Sequence, residues 1–310
     1  MPALLRGKAA TIALMLLGAA ILVAAPYYFY PLFLIKLLCF SLFACAFNLL
    51  MGSAGLLSFG HAAFYGTAAY IAAHAAKVWG FPFEVAVLSG TGAAALLGVI
   101  FGYVSIRQQG LFVAMITLAL AQLVYFLALQ LPFTHSEDGI QGVPRGHLFG
   151  LIDLNDPRAM YYTVAVIFVF GYAMVHRIVH SPFGQVLNAI RENPARATSL
   201  GYRIEDYKLV AFILSAALSG LAGATKAIAF QFASLSDVHW TVSGEVILMT
   251  ILGGVGTIFG PVVGAVVVVS LDEFLAEAGL PTQAIVGVIF ICCVLLFRRG
   301  IVGEISRFVK

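Results

Sequence analysis

Charge is what this sequence has least of: 10% of its 310 residues are Asp, Glu, Lys or Arg, against about 25% in soluble domains. Such a chain cannot keep its surface wet, which excludes an ordinary soluble enzyme. A formal net charge of +3 also argues against a polyanionic partner. Cysteine is scarce too. Cys39, Cys45, Cys292 and Cys293 all lie in apolar runs without CxxC or Cys/His spacing, which makes them small buried hydrophobes and not metal ligands. No GxxxxGK sequence followed by Ser or Thr occurs, so ATP chemistry must come from another polypeptide. No Ser/His/Asp or Cys/His set accompanies a nucleophile motif. His135, His147, Asp153 and Asp156 match no known metal-ligand spacing.

What is abundant is hydrocarbon: 62% of residues are hydrophobic and the mean hydropathy is +1.01. About 20 apolar residues cross a bilayer as helix, and full-length spans are expected near 11–30, 32–51, 83–104, 110–131, 159–179, 209–230 and 282–298. Residues 61–79 are interrupted by His61, His74 and Lys77, and 243–254 and 258–270 are short and broken by glycine and proline. Broken segments of this kind survive at membrane depth only when protein or a watery cavity shelters the backbone. The fold class is therefore all-α, a polytopic membrane helix bundle of about ten passes, two of them short or broken. It forms a single transmembrane domain over 1–310.

Arg6 and Lys8 precede an apolar run that resembles a cleavable leader with small residues near Ala24. The run continues through Pro26 into Tyr27, Tyr28, Phe29 and Tyr30, which suits a first span with an interfacial aromatic belt better. An N-terminus on the cytoplasmic side puts most basic residues inside, among them Arg107, Arg177, Arg191, Arg196, Arg203, Lys208, Arg298 and Arg299. With an even number of passes the C-terminus is cytoplasmic as well. Lys36, Lys77, Arg145, Arg158 and Lys226 then fall outside or are buried, and Asp237, Asp272 and Glu273 are among the outer acids.

Two loops are long enough to do more than connect spans, an extracytoplasmic one at 132–158 and a cytoplasmic one at 180–208. In the latter, Ser181-Pro182 reads as an N-cap with proline at the first helical position. A short helix follows with Phe183, Val186, Leu187 and Ile190 on one side. Asn193-Pro194 repeats the start signal, and a second short helix stops at Gly201, a residue suited to the left-handed C-terminal position. Two readings fit. The hairpin either caps the bundle or docks a cytoplasmic partner, with Phe183 as apolar anchor and Arg191, Glu192 and Arg196 setting register.

The glycine-rich stretch following Asn48, with Gly52, Gly55, Ser58, Gly60 and His61, loosely resembles the later run with Gly253, Gly254, Gly256 and Gly260. It is either a weak internal repeat lining a pathway or a set of small residues that lets helices approach. Polar groups within spans need interior partners, because a charge at the bilayer centre costs about 2.5–3.5 kcal/mol. Asn48, Ser58, His61, Thr117, Gln122, Tyr125 and Glu245 are the candidates for a translocation path, and Lys226 is a further buried polar group. Glu245 is expected near the start of a short helix after Ser243-Gly244, where the dipole favours a carboxylate.

Taken together, the runs 48–66 (NLLMGSAGLLSFGHAAFYG), 110–119 (GLFVAMITLA), 137–145 (EDGIQGVPR), 181–202 (SPFGQVLNAIRENPARATSLGY), 244–249 (GEVILM), 253–256 (GGVG) and 297–303 (FRRGIVG) resemble the LivM-type permeases of branched-chain amino-acid ABC importers. The resemblance implies an inner-membrane permease, not an enzyme. Its expected partners are a LivH-type companion permease, two cytoplasmic ATPase subunits that carry ATP and Mg, and a periplasmic amino-acid binding protein. It also makes Ser181, Pro182, Phe183, Gly184, Arg191, Glu192, Arg196 and Gly201 the element that couples to the ATPases. Leucine, isoleucine and valine lead as substrates, with urea or other amides as alternatives. An ion-coupled secondary carrier is the remaining competitor.

Overall fold

The computed structural model describes residues 22–108, 110–277 and 300–308, with single positions at 18, 20, 285, 287, 288 and 291. The first half of the expected first span, most of the 282–298 span, Cys292, Cys293, Arg298 and Arg299 lie outside these residues. Among the described residues, five helices are long and apolar enough to cross a membrane. The chain is a multi-pass membrane helix bundle.

Helix α1 (Pro31–Asn48) continues into a π-helical turn (Leu49–Ser53). After it come α2 (His61–Lys77), α3 (Phe83–Ser105), α4 (Leu111–Gln130) and α5 (Pro157–His180). The short α6 (Pro182–Glu192) and α7 (Pro194–Ser199) precede α8 (Ile204–Ala229), α9 (Trp240–Gly253), α10 (Gly260–Glu277) and α11 (Gly300–Phe308). One start device recurs at α5, α6 and α7: Asp156, Ser181 and Asn193 each accept a backbone N–H with their side chain, and proline holds the first helical position. Residues 22–28 are helical, and the Tyr161 hydroxyl of α5 donates to the Leu22 carbonyl at 2.7 Å.

The core is α2, which packs chiefly against α3 and α8, with α9 and the 235–238 turn beside it; α1 reaches it through rings, Phe43 lying 4.6 Å from Tyr65. Small residues permit this. A methyl built on Gly223 of α8 would overlap the Tyr65 carbonyl of α2, and one on Gly220 would overlap Ala94 of α3. Backbone approach of this kind is the usual source of packing between helices in lipid. The most apolar stretches of α1 and α8 are 72% and 61% buried, against 28% and 22% for α4 and α5. The latter two therefore present their apolar sides to lipid or to another subunit. On α4 these include Leu111, Phe112, Met115 and Phe126, and on α5 Val166 and Phe170.

The 132–158 loop lies at the end of α8 opposite to α6 and α7, and it carries six residues of paired strand that hydropathy alone does not announce. β1 (Ile140–Gln141) pairs antiparallel with β4 (Phe232–Ala233), and β2 (His147–Leu148) with β3 (Ile152–Asp153). These ladders satisfy backbone groups that no helix serves. Arg145 fixes the loop by donating through Nε (3.1 Å) and Nη2 (2.7 Å) to the Ala229 carbonyl, at the C-terminus of α8 where a cation is favoured. In the β2–β3 hairpin the Asn155 backbone and side-chain amides donate to Asp153, and the backbone bond above all holds that carboxyl below its ordinary value. Below the loop, Lys226 meets both carboxylate oxygens of Asp237 at 2.7 Å. Both side chains are nearly covered, at 15% and 10% exposure, so the lysine read as a buried polar group has its counter-charge.

Candidate functional site

At one end of the bundle three parts of the chain meet around Asn48. Its amide nitrogen donates to the Thr257 carbonyl at 2.9 Å and its amide oxygen accepts from the Gly256 N–H at 2.9 Å. One side chain thus fixes the end of α1 against the turn between α9 and α10. The two glycine-rich runs touch here: a methyl on Gly52 would sit 3.0 Å from the Gly256 Cα. Arg191 of α6 reaches the same point, donating through Nη1 to the Gly52 carbonyl. That carbonyl lies in the last turn before the helix breaks, where it lacks a forward partner in its own helix. The guanidinium supplies both the hydrogen bond and a charge that the helix dipole favours. Gly55, at φ +69°, leaves room for the stem of Arg191.

The α6–α7 pair is held by its own sequence. Ser181 Oγ donates to the Ile178 carbonyl at 2.7 Å and accepts from the Gly184 N–H at 3.3 Å. A methyl on Gly184 would overlap the Val179 carbonyl, so only glycine allows a turn this tight. Leu187 and Ile190 are buried. Phe183, expected as the apolar anchor, is half-buried, its ring stacked on Tyr207 of α8 at 5.6 Å and 17°. Gly201, at φ +89°, closes α7. The Tyr202 N–H bonds to the Ala197 carbonyl and the Gly201 N–H to that of Thr198, a Schellman closure. Glu192, Arg196 and Leu200 point outward and are exposed.

The remaining path candidates divide into two groups. Ser58, His61 and Thr117 are buried beside the break after α1. Ser58 Oγ accepts from the Gly60 N–H at 3.1 Å, and Thr117 Oγ1 accepts from the Phe59 N–H at 3.1 Å. His61 Nε2 lies 2.8 Å from Ser215 Oγ, which donates to the Ala46 carbonyl at 2.6 Å. Phe47 and Phe64 pack edge-on to the imidazole. Gln122 is exposed on α4. Tyr125 packs edge-on against His239, 5.1 Å between centroids, away from that break. Glu245 lies in α9, but not at its start. The helix begins at Trp240, with His239 as N-cap accepting from the Thr241 N–H, so the carboxylate falls beyond the first turn and does not cap it.

Glu245 instead lines a cavity of ≈ 320 Å³ between α1, α9 and α10. Phe40, Trp240, Leu248, Met249, Val268 and Val269 give it apolar walls, and Lys36 and Asp272 stand in it with Glu245. Lys36 Nζ is 3.0 Å from Glu273 and 3.4 Å from Asp272. This charged group lies at the opposite end of α1 from the Asn48 junction.

The profile of the family described as "Branched-chain amino acid transport system / permease component" matches residues 29–297. The chain belongs to this permease family. The matched region takes in the Asn48 junction, the α6–α7 pair and the cavity. Among curated relatives, the high-affinity branched-chain amino acid transport system permease protein LivM of Escherichia coli (strain K12) is 26% identical over 277 residues. That alignment covers 82% of this chain and 65% of the relative. LivM of Salmonella typhimurium gives the same identity and coverage. The xylose transport system permease protein XylH of Haemophilus influenzae is 31% identical over 137 residues, 42% of this chain and 36% of that one. The match thus spans about two thirds of the length of the LivM relatives. No solved structure matches the chain.

Within this permease, sequence reasoning missed the cavity. Lys36 looks like an isolated charge at the end of a span and Asp272-Glu273 like an outer acidic pair, and their meeting across 236 residues of chain leaves no local signal. Unpaired charge near an apolar run was the one available hint.

Proposed function

We propose that this chain is a permease subunit of an ATP-binding-cassette importer for branched-chain amino acids in a bacterial inner membrane, with ATP hydrolysed on separate subunits. The observation that carries the reading is the junction at Gly52. A surface helix pair with exposed Glu192, Arg196 and Leu200 is tied through Arg191 to the place where α1 breaks and the α9–α10 turn arrives. A hairpin that merely capped the bundle would need no bond to that break. In the proposed mechanism, ATPase subunits bear on α6 and α7 from the cytoplasm and Ser181, Pro182, Gly184 and Gly201 keep the pair rigid. Arg191 carries its displacement to the broken segments near Asn48, Ser58, His61 and Thr117, so that the path opens alternately to each side. Gln122, Tyr125 and Glu245 belong to the outer part of that path. A companion LivH-type permease completes it, and a periplasmic binding protein delivers the amino acid. Similarity to proteins named for amino acids and for xylose supports a scaffold whose cargo is chosen largely by that binding protein.

Uptake of labelled leucine into proteoliposomes holding the chain with candidate partners, with and without ATP on the ATPase side, tests the reading. Strictly ATP-dependent uptake supports it. ATP-driven uptake of urea and not leucine keeps the mechanism and changes the substrate. Leucine uptake by the chain alone overturns it in favour of a secondary carrier.

A further inference from the structure

We infer that the cavity between α1, α9 and α10 is a binding site for a zwitterionic amino acid with an apolar side chain, held chiefly by its ammonium group. This inference rests on the transport reading above and names the place in this chain where the substrate pauses.

The walls and the charges divide the labour. Phe40, Leu248, Met249, Val268 and Val269 offer hydrocarbon to a branched side chain, and Trp240 adds an aromatic face. A volume of ≈ 320 Å³ lies at the small end of the range that ligand pockets occupy, about 300–1,000 Å³. Against this apolar background stand charges of both signs. Lys36 can hold a carboxylate, and Glu245 and Asp272 can hold an ammonium. Lys36 is paired with Glu273 at 3.0 Å and Asp272 at 3.4 Å. A substrate carboxylate can replace one of these on Lys36, and the released Asp272 then faces the substrate ammonium with Glu245. Lys36 and Asp272 each exchange one partner for another, and Glu245 gains one. Acids outnumber the single base, so the group matters most that the acids bind. An analogue lacking the amine forfeits both carboxylates, whereas one lacking the carboxylate forfeits only Lys36. Among the described residues no ion pair occupies Glu245, and a ligand ammonium beside it would favour its charged form.

The test uses the assembled complex in nanodiscs. Trp79→Phe leaves Trp240 as this chain's own tryptophan, and subtracting the spectrum of the complex carrying both Trp79→Phe and Trp240→Phe isolates its emission. L-leucine should change that emission saturably. Glu245→Gln and Lys36→Met should each weaken the titration at least tenfold, and 4-methylpentanoate, leucine without its amine, should give no response. Glu245→Gln breaks no ion pair among the described residues and carries the test if Lys36→Met fails to assemble. No Trp240 response in a complex whose ATP-driven leucine uptake is intact overturns the site, as does an unchanged titration in Glu245→Gln. A complex without ATP-driven uptake that still shows the Trp240 response and its loss in Glu245→Gln overturns the importer reading and leaves the site standing.

Discussion

Arg191 donates from its guanidinium to the carbonyl of Gly52, 139 residues earlier in the chain, and so joins a surface helix to the broken end of a buried one. A hydrogen bond to a charged group is worth about 1.5–3 kcal/mol. On the proposed mechanism, Arg191→Ala should assemble and hydrolyse ATP, but leucine taken up per ATP should fall about tenfold or more, the factor that such an energy implies. Arg191→Lys should recover part of the loss, since an ammonium can supply the single donor that Nη1 gives to Gly52 and keeps the charge. Paired uptake and phosphate-release assays on one preparation check this, and wild-type coupling in both variants would remove the role.

Gly223 lies where a methyl would overlap the Tyr65 carbonyl. Gly223→Ala should lower stability by about 1–3 kcal/mol, the ordinary cost of overpacking. Gly92, on α3 with nothing within 4 Å of the position a Cβ would take, is the control. Gly92→Ala should be neutral or stabilise by up to about 1 kcal/mol from helix propensity. Thermal unfolding in detergent distinguishes the two, and equal midpoints would contradict the packing account.

Lys226 and Asp237 form a covered ion pair. Removing one partner strands the other, at about 3–5 kcal/mol. Lys226→Met should therefore be severe. Lys226→Met with Asp237→Asn should recover much of the loss, because Asn carries no charge and still offers an oxygen to the Ser234 N–H, which Asp237 accepts at 3.3 Å. A double-mutant cycle in denaturant measures the coupling, and strict additivity would show the two residues to be energetically independent.

Arg145 bonds twice to the Ala229 carbonyl. Arg145→Met should free the 132–158 loop from α8 and speed its cleavage by protease added to the loop's side several-fold, while cleavage elsewhere stays constant. Mass-spectrometric mapping of the first cuts reads this directly.

The spans were legible because lipid imposes one rule, sustained apolarity, on each helix separately: the 83–104 expectation became Phe83–Ser105, and 32–51 became the run Pro31–Ser53. The α6–α7 pair was legible for another local reason, its repeated polar cap followed by proline. What did not show was contact across the chain. The two glycine runs resemble one another in sequence, but nothing in either says that Gly52 rests on Gly256. Phe183 reads as an apolar anchor, and nothing local says that Tyr207 stacks on it. Glu245 was placed at a helix start because Ser243-Gly244 resembles one. The actual start is at His239, whose imidazole is a less familiar cap.

Helix α2 is only 17 residues long and is covered along almost its whole length by the same chain. Its environment is therefore protein and not oil, and the rule that matches helix length to bilayer thickness does not govern it. That is why it can carry His61, Tyr65, Tyr70 and His74 in a molecule otherwise so poor in polar groups. Thinner or thicker membranes will strain α4 and α5, whose sides meet the surroundings, while the inner axle of the bundle keeps its length and register.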